Sequence, residues 1–278
     1  MIAVANQKGG VAETTRVHAL AAGLVDRGRT VLAIDLDPQS SLSFAMGVEE
    51  EPAASMHQVM MGKADIADIL YESNGIDLAP SSIDLTGAEM HLLTRTGREY
   101  VLQRALRPMD GYDFVLIDCP LSLGILTVNA LTAAGKVLVP VQAETLSRRG
   151  VDQLLETVND IRQFTNPELV VTGILVTMFD ARTRHGRQQL EELMNIDGLG
   201  VVQPPVPKSV KVAEAPGARA LGAGSCSRQS RRRGVPEDRG VTRCVTTRQE
   251  SGRCSGPRPA SETAARTMVA GRCTPEDW

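Results

Sequence analysis

Between an apolar run at residues 1–5 and a helix-compatible run at 14–26 lies the loop Asn6-Gln7-Lys8-Gly9-Gly10-Val11-Ala12-Glu13. Strand, glycine-bearing loop and helix N-terminus, in that order, constrain the fold more than any other stretch. Adjacent glycines let the backbone turn tightly, so successive N–H groups can converge on an anion at the positive end of a helix. The same stretch opens a βαβ unit. Residues 30–35 form a second β-rich run, and the helix between carries Leu20, Leu24 and Val25. Such a crossover is right-handed, and its strands are parallel and buried.

The alternation continues along the chain. Residues 38–61 read as a loop and a short helix, 76–79 as a third strand, and 82–107 as one helix. Residues 114–117 (FVLI) are a continuous apolar run, as a central strand buried on both faces requires. Helices at 126–134, 146–164 and 184–194 alternate with strands at 137–141 and 170–177, and 200–203 makes a short edge strand. Strands and helices alternating at these lengths imply an α/β fold, a doubly wound, mostly parallel sheet with helices on both faces.

Composition breaks at Pro216. Residues 1–216 carry 18 Lys+Arg and 27 Asp+Glu, whereas 217–278 carry 12 Arg, no Lys and 6 acids. That tail lacks Ile, Phe, Tyr and Asn, so it has little apolar surface to bury and reads as disordered. It also holds four of the five cysteines, at 226, 244, 254 and 273, spaced too widely for a C-x-x-C metal knuckle. Cys119 alone in the body fits a reducing compartment, and no long apolar span or leader pattern is present, so the expected location is cytoplasmic.

The loop resembles the deviant Walker A motif of the ParA/MinD family of P-loop NTPases, K-G-G-x-x-K-[ST], with Lys8 as the family's extra lysine. The resemblance runs over about 210 residues in family order: VLAIDLDPQ at 31–39, IDLTGAE at 83–89, YDFVLIDCPLSL at 112–123, MFDART at 178–183 and VPKSVKVAEAP at 206–216. It is nearest to the ParA/Soj branch that partitions chromosomes and plasmids. Residues 1–216 then form a ParA-like NTPase domain whose C-terminal part is incomplete, and 217–278 an Arg-rich tail.

In such a sheet ligands sit at the carboxyl ends of the strands, where Asp35, Asp37 and Asp118 fall. Asp118 ends a buried run, where an unpaired charge is costly, so magnesium-bound water is a natural partner. The resemblance implies ATP and Mg2+ as cofactors. It assigns the phosphates to Lys8, Gly9, Gly10, Val11, Ala12, Glu13, Thr14 and Thr15, and the metal to Thr14 and Asp118 with Asp35 supporting its shell. By the same resemblance Asp37 orients the attacking water, and Lys8 offsets phosphoryl charge in trans within a nucleotide-sandwich homodimer. The bland readings, strand-end aspartates capping turns and Lys8 a solvated loop lysine, stand beside these.

Glu13 opposes the simple conclusion, because it stands where the motif has its second lysine. At 4 Å and an effective dielectric of 20, a unit-charge interaction is worth roughly 4 kcal/mol, and here its sign is reversed. Weak ATP binding and little hydrolysis are expected. Ala12, where the family commonly has glycine, adds backbone strain if that position needs a positive φ. Leu121 and residues 145–149 (TLSRR) are further departures, in a region the family uses for switching and partner contacts.

The resemblance also implies a ParB-like partner, nucleoid association and non-specific DNA binding. Positions available for DNA phosphates are Arg182, Arg184, Arg187, Lys208 and Lys211, against the rival reading of scattered solvated bases. No apolar stripe at helical spacing supports the membrane helix of MinD-like relatives, and the body lacks the paired cysteines of the iron-sulfur reductases sharing the fold. The tail departs from the family after 216, where an aliphatic helix is expected, and its Arg-Ser-Gly-Pro-Cys composition is that of an out-of-frame reading of a GC-rich gene. An Arg-rich nucleic-acid-binding tail is the alternative. Reading the gene past codon 216 in its other frames decides: a coherent aliphatic helix there supports the frameshift, and none contradicts it. At this level three functional readings remain open, namely a partitioning ATPase homologue, a non-catalytic pseudo-ATPase scaffold, and the product of a decayed gene.

Overall fold

The computed structural model describes residues 1–6, 13–142, 148–195 and 199–207, with the backbone alone at 13, 148 and 149. Lys8, Gly9, Gly10, Val11, Ala12, the Glu13 side chain, residues 145–149 as a segment, Lys208, Lys211 and the tail from 217 lie outside the described residues. The strands are β1 (Ile2–Val4), β2 (Val31–Asp35), β3 (Tyr71–Ser73), β4 (Ile76–Ala79), β5 (Phe114–Asp118), β6 (Lys136–Gln142), β7 (Val170–Thr177) and β8 (Val201–Val202). They form one sheet in the order β3-β4-β2-β5-β1-β6-β7-β8, parallel throughout except for the β3–β4 pair.

The helices are α1 (Glu13–Val25), α2 (Ser41–Ala45), α3 (Met56–Met61), α4 (Leu85–Leu92), α5 (Val101–Leu106), α6 (Ile125–Ala133), α7 (Arg148–Phe164) and α8 (Arg184–Met194). Strand side chains alternate between two cores. Ala3, Leu32, Ile34, Ile117 and Val139 point to the side of α3 to α8, while Ile2, Val4, Val31, Ala33 and Leu116 pack with Val17 and Ala21 of α1 and Leu42 of α2. Each fully buried Leu, Ile or Val contributes about 1.5–3 kcal/mol, so burial on both faces holds this frame. The doubly wound sheet expected from the sequence is what the chain forms.

Three expectations need correction. Strand 76–79 is preceded by β3, an antiparallel edge strand that the sequence reading missed. The two are joined by Asn74 and Gly75 at φ 52° and 78°, the positive-φ pair of a two-residue hairpin turn. The single helix expected over 82–107 is broken into α4, a 3-10 turn and α5 around Gly97, at φ 67°. Asn129 of α6, fully buried, holds that corner: its Nδ2 donates to the Arg98 carbonyl at 2.8 Å and its Oδ1 accepts from the Leu102 amide at 3.1 Å. Residues 38–61 hold two short helices rather than one, the second started by Ser55. The Ser55 Oγ accepts from the His57 amide at 3.2 Å, and Gln58 Oε1 accepts from the Ser55 amide at 2.8 Å.

Candidate functional site

The strand order places the site. β1 lies between β5 and β6, with Val4 in register with Asp118, so the chain leaves β1 for the glycine loop beside the end of β5. β2 flanks β5 on the other side, with Asp35 directly opposite Asp118. Neighbouring strands lie about 4.8 Å apart, so two carboxylates share the carboxyl edge of the sheet at the mouth of the loop. α1 then runs back over β5 and β2, and brings Thr14 to this edge.

The two carboxylates are treated very differently by their surroundings. Asp35 is fully buried and fully used: its Oδ2 accepts from the Ser43 amide at 2.8 Å and the Ser43 hydroxyl at 2.7 Å, and its Oδ1 accepts from the Asp37 amide at 3.1 Å. Ser43 Oγ accepts in turn from the Ser81 amide at 2.9 Å, so Asp35 ties α2 and the end of β4 to β2. Burial pushes the Asp35 carboxyl up to about 6 against the pull of these donors. Asp118 is equally buried, yet neither of its oxygens has a hydrogen-bond partner among the described residues. Burial above all, then the negative charge of Asp35, raises its carboxyl well above the ordinary range. The Thr14 hydroxyl opposes that rise without completing a hydrogen bond.

Asp37 is half-buried on the turn that leaves β2, and its Oδ1 accepts from the Gln39 amide at 2.9 Å. Its negative charge reaches both buried carboxylates. Thr14, Asp35, Asp37 and Asp118 are therefore one cluster at the carboxyl edge of the sheet. Thr15, in the same turn of α1, is half-buried.

The fit to magnesium rests on the orphaned Asp118. Among the described residues no group of three or more His, Cys, Asp or Glu side chains is assembled to cage a metal. One carboxylate unpartnered among the described residues, beside one threonine hydroxyl, suits an ion that keeps several waters and takes further oxygens from a ligand.

Sequence reasoning missed Ser43, whose two hydrogen bonds fix Asp35. It carries no signal beyond being a small polar residue inside a short apolar helix. It also missed Arg16, a charged residue in the first turn of α1, which is 5% exposed and has Nε and Nη1 buried without partners among the described residues. A charge beside the core positions Val17, Leu20, Ala21 and Leu24 was the available clue.

The candidate DNA residues lie elsewhere, after β7. Arg182 is held in a two-point fork by Asp180, Nε to Oδ1 and Nη2 to Oδ2 both at 3.0 Å. Arg184 and Arg187 are exposed on α8, whose start is capped by the Thr183 hydroxyl accepting from the Gly186 amide at 3.1 Å.

The buried acids give a pH signature. Their pKa values are raised on folding, so the native state binds these protons more tightly than the unfolded chain. The associated stability is present below pH 4 and is lost as pH rises through about 6 for Asp35, with Asp118 acting in the same direction. Without magnesium, the urea midpoint is expected to fall between pH 5 and pH 7.5, and added Mg2+ to recover part of the loss. A midpoint that rises over this window contradicts the assignment.

A family model described as an AAA domain matches residues 1–171. The chain is similar to the sporulation initiation inhibitor protein Soj of Bacillus subtilis, 40% identical over 220 residues, 78% of this chain and 87% of that protein. It is also similar to the chromosome partitioning protein ParA of Myxococcus xanthus, 38% identical over 220 residues and 78% of each chain. Among solved structures, cobyrinic acid a,c-diamide synthase from Mycobacterium smegmatis with bound ADP and magnesium is 48% identical, with a TM-score of 0.72 over 77% of this chain and 89% of that one.

Proposed function

Since the chain belongs to the AAA-domain family of ParA/Soj-type partitioning ATPases, we propose that it is a partitioning ATPase homologue whose nucleotide site is retained in all but one charge. The observation that carries this reading is the buried, unpartnered carboxylate of Asp118, beside Thr14 at the mouth of the glycine loop. Thr14 and Asp118 are the residues that would hold Mg2+, and Asp35 sets the position of the turn that bears Asp37. When bound, Mg2+ offsets the charge of the terminal phosphates. Gly9, Gly10, Val11 and Ala12 offer backbone N–H groups to the phosphates, Thr15 completes the first helical turn, and Lys8 acts across a sandwich homodimer. Asp37 accepts a hydrogen bond from the attacking water and orients it.

Glu13 sets the level of activity. A carboxylate in place of the lysine repels the β- and γ-phosphates, so binding is weak and turnover small. The same residue favours the non-catalytic reading, in which dimer or partner contacts persist without ATP turnover. Magnesium-dependent nucleotide affinity separates the two, and its complete absence even after Glu13→Lys removes the ATPase reading.

The proposal extends to non-specific DNA binding by Arg184, Arg187, Lys208 and Lys211, with a ParB-like partner and nucleoid localisation. Arg182 contributes less because Asp180 already occupies its fork. Anisotropy with random-sequence duplex between 50 and 200 mM salt tests this. The triple change Arg184→Glu, Lys208→Glu and Lys211→Glu is expected to weaken binding at low salt at least roughly tenfold and to flatten the salt slope by about 2–3. An unchanged slope places DNA elsewhere or nowhere on the body.

A further inference from the structure

Arg16 sits in the first turn of α1, buried beside Val17, and its Nε and Nη1 meet neither a carboxylate nor a carbonyl among the described residues. A buried charge is costly unless paired, and an apolar side chain would fill the same place without that cost. The guanidinium therefore calls for an anion that the described residues do not supply.

Helix geometry says where that anion lies. Successive residues are 100° apart around an α-helix, so Arg16 is about 200° from Thr14 and projects on the flank away from the carboxylate cluster. Long helical side chains lean back toward the N-terminus and cover the preceding turn. The Arg16 guanidinium is thereby carried toward the end of α1 where the first backbone N–H groups have no intrahelical acceptor. By this geometry a guanidinium whose Nε and Nη1 are unpartnered among the described residues leans toward the end of the helix that offers free N–H groups, and its planar fork matches phosphate oxygens.

We propose that Arg16 is a phosphate-binding residue of the nucleotide site, reaching from the flank opposite Thr14 and Asp118 to the phosphate nearest the sugar. The proposal rests on the nucleotide-site reading above and adds a cation to it. Mg2+, Thr14 and Asp118 serve the terminal phosphates, and Arg16 serves the part of the ligand that ATP and ADP share. It restores to the site a positive charge that Glu13 removes, at a different phosphate.

Calorimetric titration of MgATP and MgADP into the full chain tests this, with Arg16→Met placed in the Glu13→Lys background so that affinities are measurable. Both nucleotides are expected to bind roughly 10- to 100-fold more weakly, by similar factors, as loss of a charge-assisted contact implies. The ligand-free variant is expected to unfold at a higher temperature, since a buried unpaired charge is gone. Arg16→Gln serves if the methionine variant does not fold, and the same outcomes decide. Unchanged affinity for both nucleotides, or a loss confined to ATP, overturns the proposal. If no nucleotide binds in the Glu13→Lys background, the site reading itself fails, and inorganic pyrophosphate without magnesium then decides on Arg16. A thermal shift that Arg16→Met abolishes keeps the anion site, and equal shifts overturn it.

Discussion

Replacing Glu13 with lysine is expected to tighten MgATP binding by roughly 100- to 1,000-fold. The change removes a carboxylate from the start of the helix that follows the glycine loop and puts a cation in its place. Each unit-charge interaction with a phosphate oxygen at contact distance is worth roughly 4 kcal/mol at an effective dielectric of 20. Solvent, Mg2+ and the backbone amides screen both the repulsion and the restored attraction, which brings the net gain below the sum of the two. The frame that positions the site does not depend on residue 13: Asp118, Asp35 and Thr14 are held by strand register, by Ser43 and by α1. Turnover is expected to rise with affinity in the Glu13→Lys protein, since Asp37 is already fixed by its amide contact to Asp35. Affinity that does not change places the defect elsewhere, in Ala12 or in the chain beyond 216.

Changing Asp118 to asparagine should have two opposite consequences. In magnesium-free buffer at pH 7.5 the variant loses a buried charge with no partner and one side of a repulsive carboxylate pair. A stability gain on the order of a few kcal/mol follows, because an unpaired buried ion costs more than the neutral amide that replaces it. For a chain of this size each kcal/mol moves the unfolding temperature by about 2–4 °C, so a rise of several degrees should be seen by calorimetry. In the Glu13→Lys background the same change should abolish the difference between ATP affinities measured with and without Mg2+. Greater stability with less function identifies a site residue, whereas a structural aspartate loses stability when changed. Asp35 supplies the contrast. Its three hydrogen bonds hold Ser43 of α2 and the Asp37 turn to β2, and Ser43 in turn holds Ser81 beyond β4, so Asp35→Asn should destabilise.

Much of this was legible in the sequence because it rests on local signals. The strand, glycine loop and helix at the start, and the apolar run ending in Asp118, are written in contiguous residues, and burial on both faces of a parallel sheet demands such runs. That Asp35 and Asp118 face each other is also implied once both strands are placed in a doubly wound sheet. Their different fates were not legible. Ser43 reaches Asp35 through a short helix whose orientation depends on Leu42 and Met46 packing beneath it, a tertiary fact without periodicity of its own. The break in the expected helix at 82–107 depends on Asn129, which belongs to another helix. β3 was legible and was missed, since Asn74-Gly75 is a strong hairpin signal. Arg16 shows a different limit, because an arginine in a helix reads as solvated until its neighbours are in place.

The most direct test of the central claim, a nucleotide site intact but for the charge at residue 13, is a MgATP titration of three proteins side by side. They are the parent, Glu13→Lys, and Glu13→Lys with Asp118→Asn. Weak binding by the parent, tight binding by the single variant and weak binding again by the double variant is the predicted result. A parent that already binds as tightly as Glu13→Lys, or a double variant that binds as tightly as the single one, contradicts it.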